Sequence, residues 1–597
     1  MLLVLSGCYS GYEADNAASG ATDGAPGDTD GGAPSGDDDG GEDSSGDDGG
    51  TDQDAQCDPS VLASPAPMRR LTRRQYENAL HDLAAPILGE DEVQAVLEGL
   101  QASLSVVPED NAPGFRRLDQ TLTQAHIDGW YHVGRGLGAA LTESETRLEA
   151  LAGACATDAD LDNDAGCIED FVGRFGRRAF RRPLSQAEVS FYSADAAGSG
   201  VDVSAESFAE RISVLLMVPD FVYIIEDDNP EDGDGVFPLS GHELASRLAF
   251  HFWESIPDDA LLDAAQDGRL ETPEGYEAEV ERLFAHDRTR RTLAQFTEQW
   301  LELEQVPAMD TLVGTVGFDA FAGEDTPSPE LRGAMLEEVT DAFRWFVYDQ
   351  EGSLADFITS NVGVVRDEEL AALYGIPAWD GESAPGELPG DRGGLVTRAA
   401  LVVSGSPVTH PVLKGNRIRT QLLCGTIPAP PADIPPPPAL DPFSTIREQL
   451  ELLTEREGTS CLGCHALMNP LGYVTENYDG LGRLRTHEQV FDLSTGEKLG
   501  ELSVDTQAVP RARGDDERVA NDGADLSQFI VDSGLAEACL SIQYFRFAYG
   551  REEDPVADAC AIESLQFALE DAGSLRAMLL DVAFQPEFQI RTRTEED

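Results

Sequence analysis

Cys461-Leu462-Gly463-Cys464-His465 is the stretch whose residue types can do chemistry at their spacing. Two thiols with two residues between them can each add across a vinyl group of a porphyrin, and the imidazole that follows is placed to ligate its iron. Cys461, Cys464 and His465 therefore read as a c-type haem attachment pattern, covalent haem c with His465 as proximal ligand. The same spacing also suits a Cys461–Cys464 disulfide or half of a zinc site. No second Cys-x-x-Cys accompanies it, so a zinc site would have to recruit distant ligands. The sixth iron ligand is not identified by sequence; on chemistry alone His410 and Met578 are candidates, whereas Met468 lies only three residues after His465, too near to reach the opposite face of the ring. Arg483 and Arg485 are candidates for pairing haem propionates, because guanidinium forks match carboxylates; otherwise they are surface arginines of an acidic protein.

The elements that must position these residues are mostly helices. After the motif, Met468-Asn469-Pro470-Leu471-Gly472 is expected to turn the chain, with a backbone carbonyl accepting the other ring N–H of His465 and fixing its tautomer. Before it, Ser406-Pro407-Val408-Thr409-His410-Pro411 leads to a helix from Lys414 to Cys424. Then come Ile427-Pro428-Ala429-Pro430-Pro431 and Pro435 to Pro438, a polyproline strap or an interdomain linker. Upstream, Thr72 with Gln75, Ser185 with Glu188 and Ser240 with Glu243 each form a capping box with an apolar residue before the cap, and each opens an amphipathic helix. Further helices are expected at 208–218, 276–284, 292–303, 332–347, 526–549 and 575–583. Strand signals are sparse, the best being 221–225 and 362–365, the latter weakened by Gly363. Trp253, Trp300, Trp345, His81, His126 and His242 read as core or surface helix positions rather than ligands.

The formal charge is −70 over 597 residues. Such a surface repels phosphate backbones and anionic headgroups, which argues against nucleic acid as a partner. Residues 9–56 are Gly, Asp, Ser, Ala and Thr without hydrophobic periodicity, and are expected to be a disordered acidic tether reaching about 40 Å. Met1-Leu2-Leu3-Val4-Leu5-Ser6-Gly7-Cys8 ends like a bacterial lipobox, although the basic n-region is missing. Cys8 would then be a lipid anchor, and the anchor the chain's only membrane attachment. Export fits the remaining six cysteines: Cys155 with Cys167 and Cys539 with Cys560 are the sequence-close pairs, which leaves Cys57 with Cys424 by elimination, among fifteen connectivities.

Arg69-Arg70-Leu71-Thr72, Phe175-Gly176-Arg177-Arg178-Ala179-Phe180-Arg181-Arg182-Pro183-Leu184, the stretch 239–252, Arg392 to Pro431 with Cys461 to Arg485, and Tyr549-Gly550-Arg551 occur in that order. That succession resembles the multidomain planctomycete and myxobacterial proteins in which several uncharacterised domains surround a cytochrome-c-like one. The resemblance covers about residues 67–592. It implies a secreted or surface-exposed protein and a cytochrome-type label for the part holding Cys461, Cys464 and His465. Where the family pattern has Arg-Gly, this chain has Lys414-Gly415.

The expected architecture is mainly α: a signal remnant (1–8), the tether (9–56), helical domains at 67–135, 165–228 and 235–365, a cytochrome-c-like domain at 391–490 and a C-terminal helical domain at 520–592. The expected function is electron transfer by an exported, lipid-anchored haem protein on the periplasmic face or cell surface of a Gram-negative bacterium, with a redox partner protein or an extracellular substrate. Two alternatives stand beside it: a haem-dependent extracytoplasmic oxidoreductase, and a haem-free surface scaffold in which Cys461 and Cys464 form a disulfide. No serine-nucleophile elbow, zinc-protease pair or phosphate loop points elsewhere.

Overall fold

Local signals set most helix starts. The computed structural model describes residues 57, 58, 68–112, 114–194, 203–226, 235–428, 441 and 443–593. Cys8, the tether and residues 429–440 of the proline stretch lie outside them. The three expected capping boxes are present, at Thr72, Ser185 and Ser240, opening the helices Arg73–Leu88, Gln186–Ser193 and Gly241–Trp253. The run expected at 526–549 is two helices, Gly523–Asp532 and Leu535–Tyr549, broken where Gly534 adopts a positive φ of 68°. Among the described residues there are 26 α-helices and four two-stranded antiparallel pairings. The fold is mainly α, as the periodicity predicts.

The expected strand at 221–225 shortens to Tyr223–Ile224, because Pro219 starts a helical turn through Val222; it pairs with Arg69–Arg70. Val362–Gly363 pairs with Gly386–Glu387. A hairpin of His487–Asp492 with Glu497–Ser503 carries no clean apolar alternation and was not foreseen.

The helices pack into two cores. The first joins Arg73–Leu88, Gln124–Leu141, Asp164–Ala179 and Ala205–Leu215 around Tyr76, Phe171 and Phe208. The second runs from Leu239 to Phe588 and takes in residues of the segments expected as three domains, 235–365, 391–490 and 520–592. Phe296 packs with Tyr544 and Phe547 from the C-terminal segment, and Gly235–Pro238 pairs with Ile590–Arg593. Arg117 bridges the cores, its guanidinium paired with Glu254 at 2.9 Å and donating to the Phe547 carbonyl. Arg181, in the Arg-Arg-Pro-Leu stretch, is buried and donates to the carbonyls of Asp220, Phe221 and Tyr223, which makes it a tie for the first core.

Cys155 pairs with Cys167 as expected, but the other two pairings are corrected: Cys57 bonds Cys560, and Cys424 bonds Cys539. Cys424 ends the helical segment that lies on the helix Leu535–Tyr549, so proximity in the fold overrides proximity in sequence. No helix of the described residues is long and apolar enough to cross a membrane.

Candidate functional site

The motif opens a helix, Ser460–Tyr473, that continues through Pro470 instead of turning after His465. Cys461 and His465 face inward, each 2% exposed, four residues apart on one helix face. Cys464 carries a free thiol, its Sγ 3.7 Å from the Pro428 carbonyl oxygen. Cys461 is disulfide-bonded and Cys464 is free, so the two motif thiols are not joined to each other, and the alternative of a Cys461–Cys464 bridge is corrected.

The His465 tautomer can be derived from its surroundings. Asn469 Nδ2 donates to Glu455 Oε1 at 2.8 Å and to Thr454 Oγ1 at 3.0 Å. A carboxylate only accepts, which fixes the amide so that Oδ1 is the atom 3.0 Å from His465 Nδ1. Nδ1 must therefore carry the proton, leaving the lone pair on Nε2, which has no hydrogen-bond partner among the described residues. Tyr473 also donates to Glu455 Oε1 at 2.8 Å, and burial beside that carboxylate raises the pKa of its phenol. A side-chain relay through Asn469 thus does what a backbone carbonyl was expected to do. Asn469 was missed because an Asn four residues after a His on a helix looks like any polar position; that spacing is its only sequence signal.

A second helix, Pro411–Arg417, crosses the motif helix at glycines. A Cβ on Gly415 would overlap the Met468 carbonyl, and one on Gly472 the Pro411 carbonyl. Backbone against backbone leaves no room for side chains at this crossing. Lys414 is buried there and pairs with Glu476 at 2.7 Å; Thr409 donates to the same carboxylate at 2.6 Å, and Arg485 lies 3.2 Å from it. Burial lowers the Lys414 pKa against the raising pull of Glu476. Behind Arg485, burial pushes the Glu488 carboxyl up to about 7. Glu488 accepts from the backbone N–H of Ile446, the first residue of the helix Ile446–Thr454, whose far end supplies Thr454 to the Asn469 relay.

These pairings place the remaining candidates. Arg485 is spent on Glu476, and Arg483 on Asp479, Asp325 and the carbonyls of Phe321 and Ala322, so both are structural ties rather than free propionate partners. His410 precedes the crossing helix at its Gly472 end, and seven residues separate Gly472 from His465, about 10 Å along the axis. His410 Nε2 is buried without a hydrogen-bond partner among the described residues. Met578 is sealed in the helix Leu575–Phe584 against Leu535–Tyr549 and Ala559–Ala572. Among the described residues no group of three or more His, Cys, Asp or Glu side chains could hold a metal ion.

The donor chemistry fits haem: a thiol on Cys464, a second sulfur on Cys461, and an imidazole whose Nε2 has no hydrogen-bond partner among the described residues. The packing sets a condition, because Cys461 and His465 are enclosed and Cys461 is oxidised; thioether bonds to a haem would have to form on a reduced, open chain.

Residues 167–226 match PSD5, protein of unknown function (DUF1595); residues 239–376 match PSD4, protein of unknown function (DUF1592); and residues 392–488 match PSCyt3, protein of unknown function (DUF1588), whose name is that of a cytochrome-c-like domain. No curated protein and no solved structure matches the chain. The PSCyt3 match begins at Arg392, whose guanidinium stacks between Tyr374 at 4.3 Å and Tyr478 at 4.8 Å, and it ends at Glu488. The chain thus carries, in order, a PSD5, a PSD4 and a PSCyt3 domain, all three of the planctomycete-type uncharacterised kind.

Proposed function

We propose that residues 392–488 hold one covalent haem c and that the protein transfers electrons outside the cytoplasm, tethered to a membrane through a lipid on Cys8. The observation that carries this reading is the His465 relay: Asn469 and Glu455 hold Nδ1 as donor and present Nε2 as lone-pair donor, one residue after the free thiol of Cys464 and four after the disulfide-bonded Cys461. When bound, haem supplies a one-electron Fe(III)/Fe(II) couple. The chain's own residues would anchor it through Cys461 and Cys464, orient His465, and exclude water through the crossing helix. A redox titration of the full chain, exported with c-haem maturation, tests this: a reversible one-electron couple with iron six-coordinate at rest supports a carrier. An iron with an open position that turns over peroxide supports the haem-dependent oxidoreductase instead.

One observation favours the haem-free scaffold as second reading. Cys461 is already in a disulfide and shares with His465 an enclosed helix face, as a purely structural motif would. On that reading the bridge stabilising the scaffold does not join Cys461 to Cys464. Exported protein that remains colourless and shows no redox couple sinks both haem readings.

A further inference from the structure

A cavity of about 180 Å³ lies in the PSD4 region, away from the cysteine motif, and its lining is basic and aromatic in a chain of net charge −70. Arg290 comes from the first turn of the helix Asp287–Trp300. Asp341, Arg344 and Trp345 share one face of the helix Leu331–Tyr348, at positions i, i+3 and i+4. Arg366 and Trp379 close it from the loops on either side of the helix Glu368–Tyr374. Trp345 and Trp379 meet nearly edge to face, 5.8 Å apart at 81°, and so form a corner.

The charges do not cancel. Asp341 gives one carboxylate oxygen to Arg366, at 2.8 Å, and the other to Arg344, and is thereby used up. Arg366 is further fixed over the Trp379 ring at 4.6 Å. Arg290 rests on the Tyr348 ring and reaches only the exposed Asp287, at 3.8 Å. Neither Arg290 nor Arg344 donates to a backbone carbonyl, although the C-terminal end of the helix Leu331–Tyr348 is beside them, so most of their N–H donors have no protein acceptor among the described residues. Burial, with Arg366 and Arg290 adjacent, holds Arg344 below its ordinary pKa against the raising pull of the Glu337 and Glu298 carboxylates. The remaining lining residue, Asp349, is exposed at the rim.

We propose that this cavity binds a small organic carboxylate carrying a ring, with the carboxylate on Arg290 and Arg344 and the ring against Trp345 and Trp379. Guanidinium forks match a carboxylate, and the tryptophan corner offers a flat apolar wall that an inorganic anion would not use. The volume suits a single ring. An aromatic acid and a sugar acid share this chemistry.

The test is calorimetry and tryptophan fluorescence on the full chain, titrated with benzoate and with glucuronate, alongside benzamide and sodium sulfate. Saturable binding of either carboxylate is expected, at least about tenfold tighter than benzamide, and weakened about tenfold by Arg290→Gln and by Arg344→Gln with unfolding midpoints unchanged. Whichever carboxylate binds more tightly identifies the aromatic or the sugar source. Arg290 is half-exposed and makes no buried ion pair, so its variant remains informative should Arg344→Gln fail to fold. No binding of either carboxylate at 10 mM, on the order of the weakest useful affinity, overturns the proposal. So does equal binding of benzamide, equal competition by sulfate, or no change on Arg290→Gln.

Discussion

Asn469 stands between a chemical group and its scaffold: it accepts from His465 Nδ1 and donates to Thr454, Glu455 and Tyr473. Asn469→Ala leaves several buried polar groups without partners and should cost about 2 to 4 kcal/mol in urea unfolding; a loss within experimental scatter would mean the relay is not formed. Glu488 makes a pH prediction. Its carboxyl titrates at about 7 in the folded protein against 4.5 unfolded, so the folded state binds the proton more tightly. Stability therefore falls as pH rises from about 4.5 to 7 and stays reduced above, by up to about 3 kcal/mol. Glu488→Gln should remove that loss, so the variant gains on the parent protein between pH 5 and pH 8; parallel pH dependences of the two unfolding curves would contradict the assignment. At this scale the motif was legible because its three residues are local. Arg485 was not: the Glu476 that claims it is nine residues away, and in a chain this acidic no single carboxylate stands out as its partner.

Elements differ in the same way. The capping boxes at Thr72, Ser185 and Ser240 are written within four residues and can be read directly. The crossing of Pro411–Arg417 on the motif helix is written in two glycines 57 residues apart, Gly415 and Gly472, and neither means anything without the other. Gly472→Ala places a Cβ against the Pro411 carbonyl, backbone that cannot move aside, and should destabilise the module by about 3 kcal/mol. Limited proteolysis reads this out as new cleavage at 405–425; an unchanged digest would mean the helices sit farther apart. The hairpin 487–503 escaped prediction because its strands mix Glu, Gln, Lys and Gly with few apolar residues, leaving no alternation to read.

For the whole molecule, the sequence suggested a string of domains and the packing shows two cores, because the residues that complete the second come from both ends of a 350-residue stretch. A fragment of residues 235–380 would expose Phe296 where Tyr544 and Phe547 cover it, would leave the Trp300 indole without the Gln421 carbonyl it donates to, and would lose the Ile590–Arg593 strand. It should bind hydrophobic dyes and aggregate until residues 391–593 are co-expressed; cooperative unfolding of the fragment alone would contradict the shared core. The Cys57–Cys560 bridge, with a sequence separation of 503, is equally invisible to sequence reading. The central claim, that the PSCyt3 region holds covalent haem, is tested most directly by an alkaline pyridine haemochrome spectrum. The protein for it is the full chain, exported with a complete signal peptide and the c-haem maturation machinery. A c-type α-band at one haem per chain, lost in the Cys461→Ala/Cys464→Ala variant, is the predicted result; a folded, colourless protein with Cys461 still in its disulfide would contradict it.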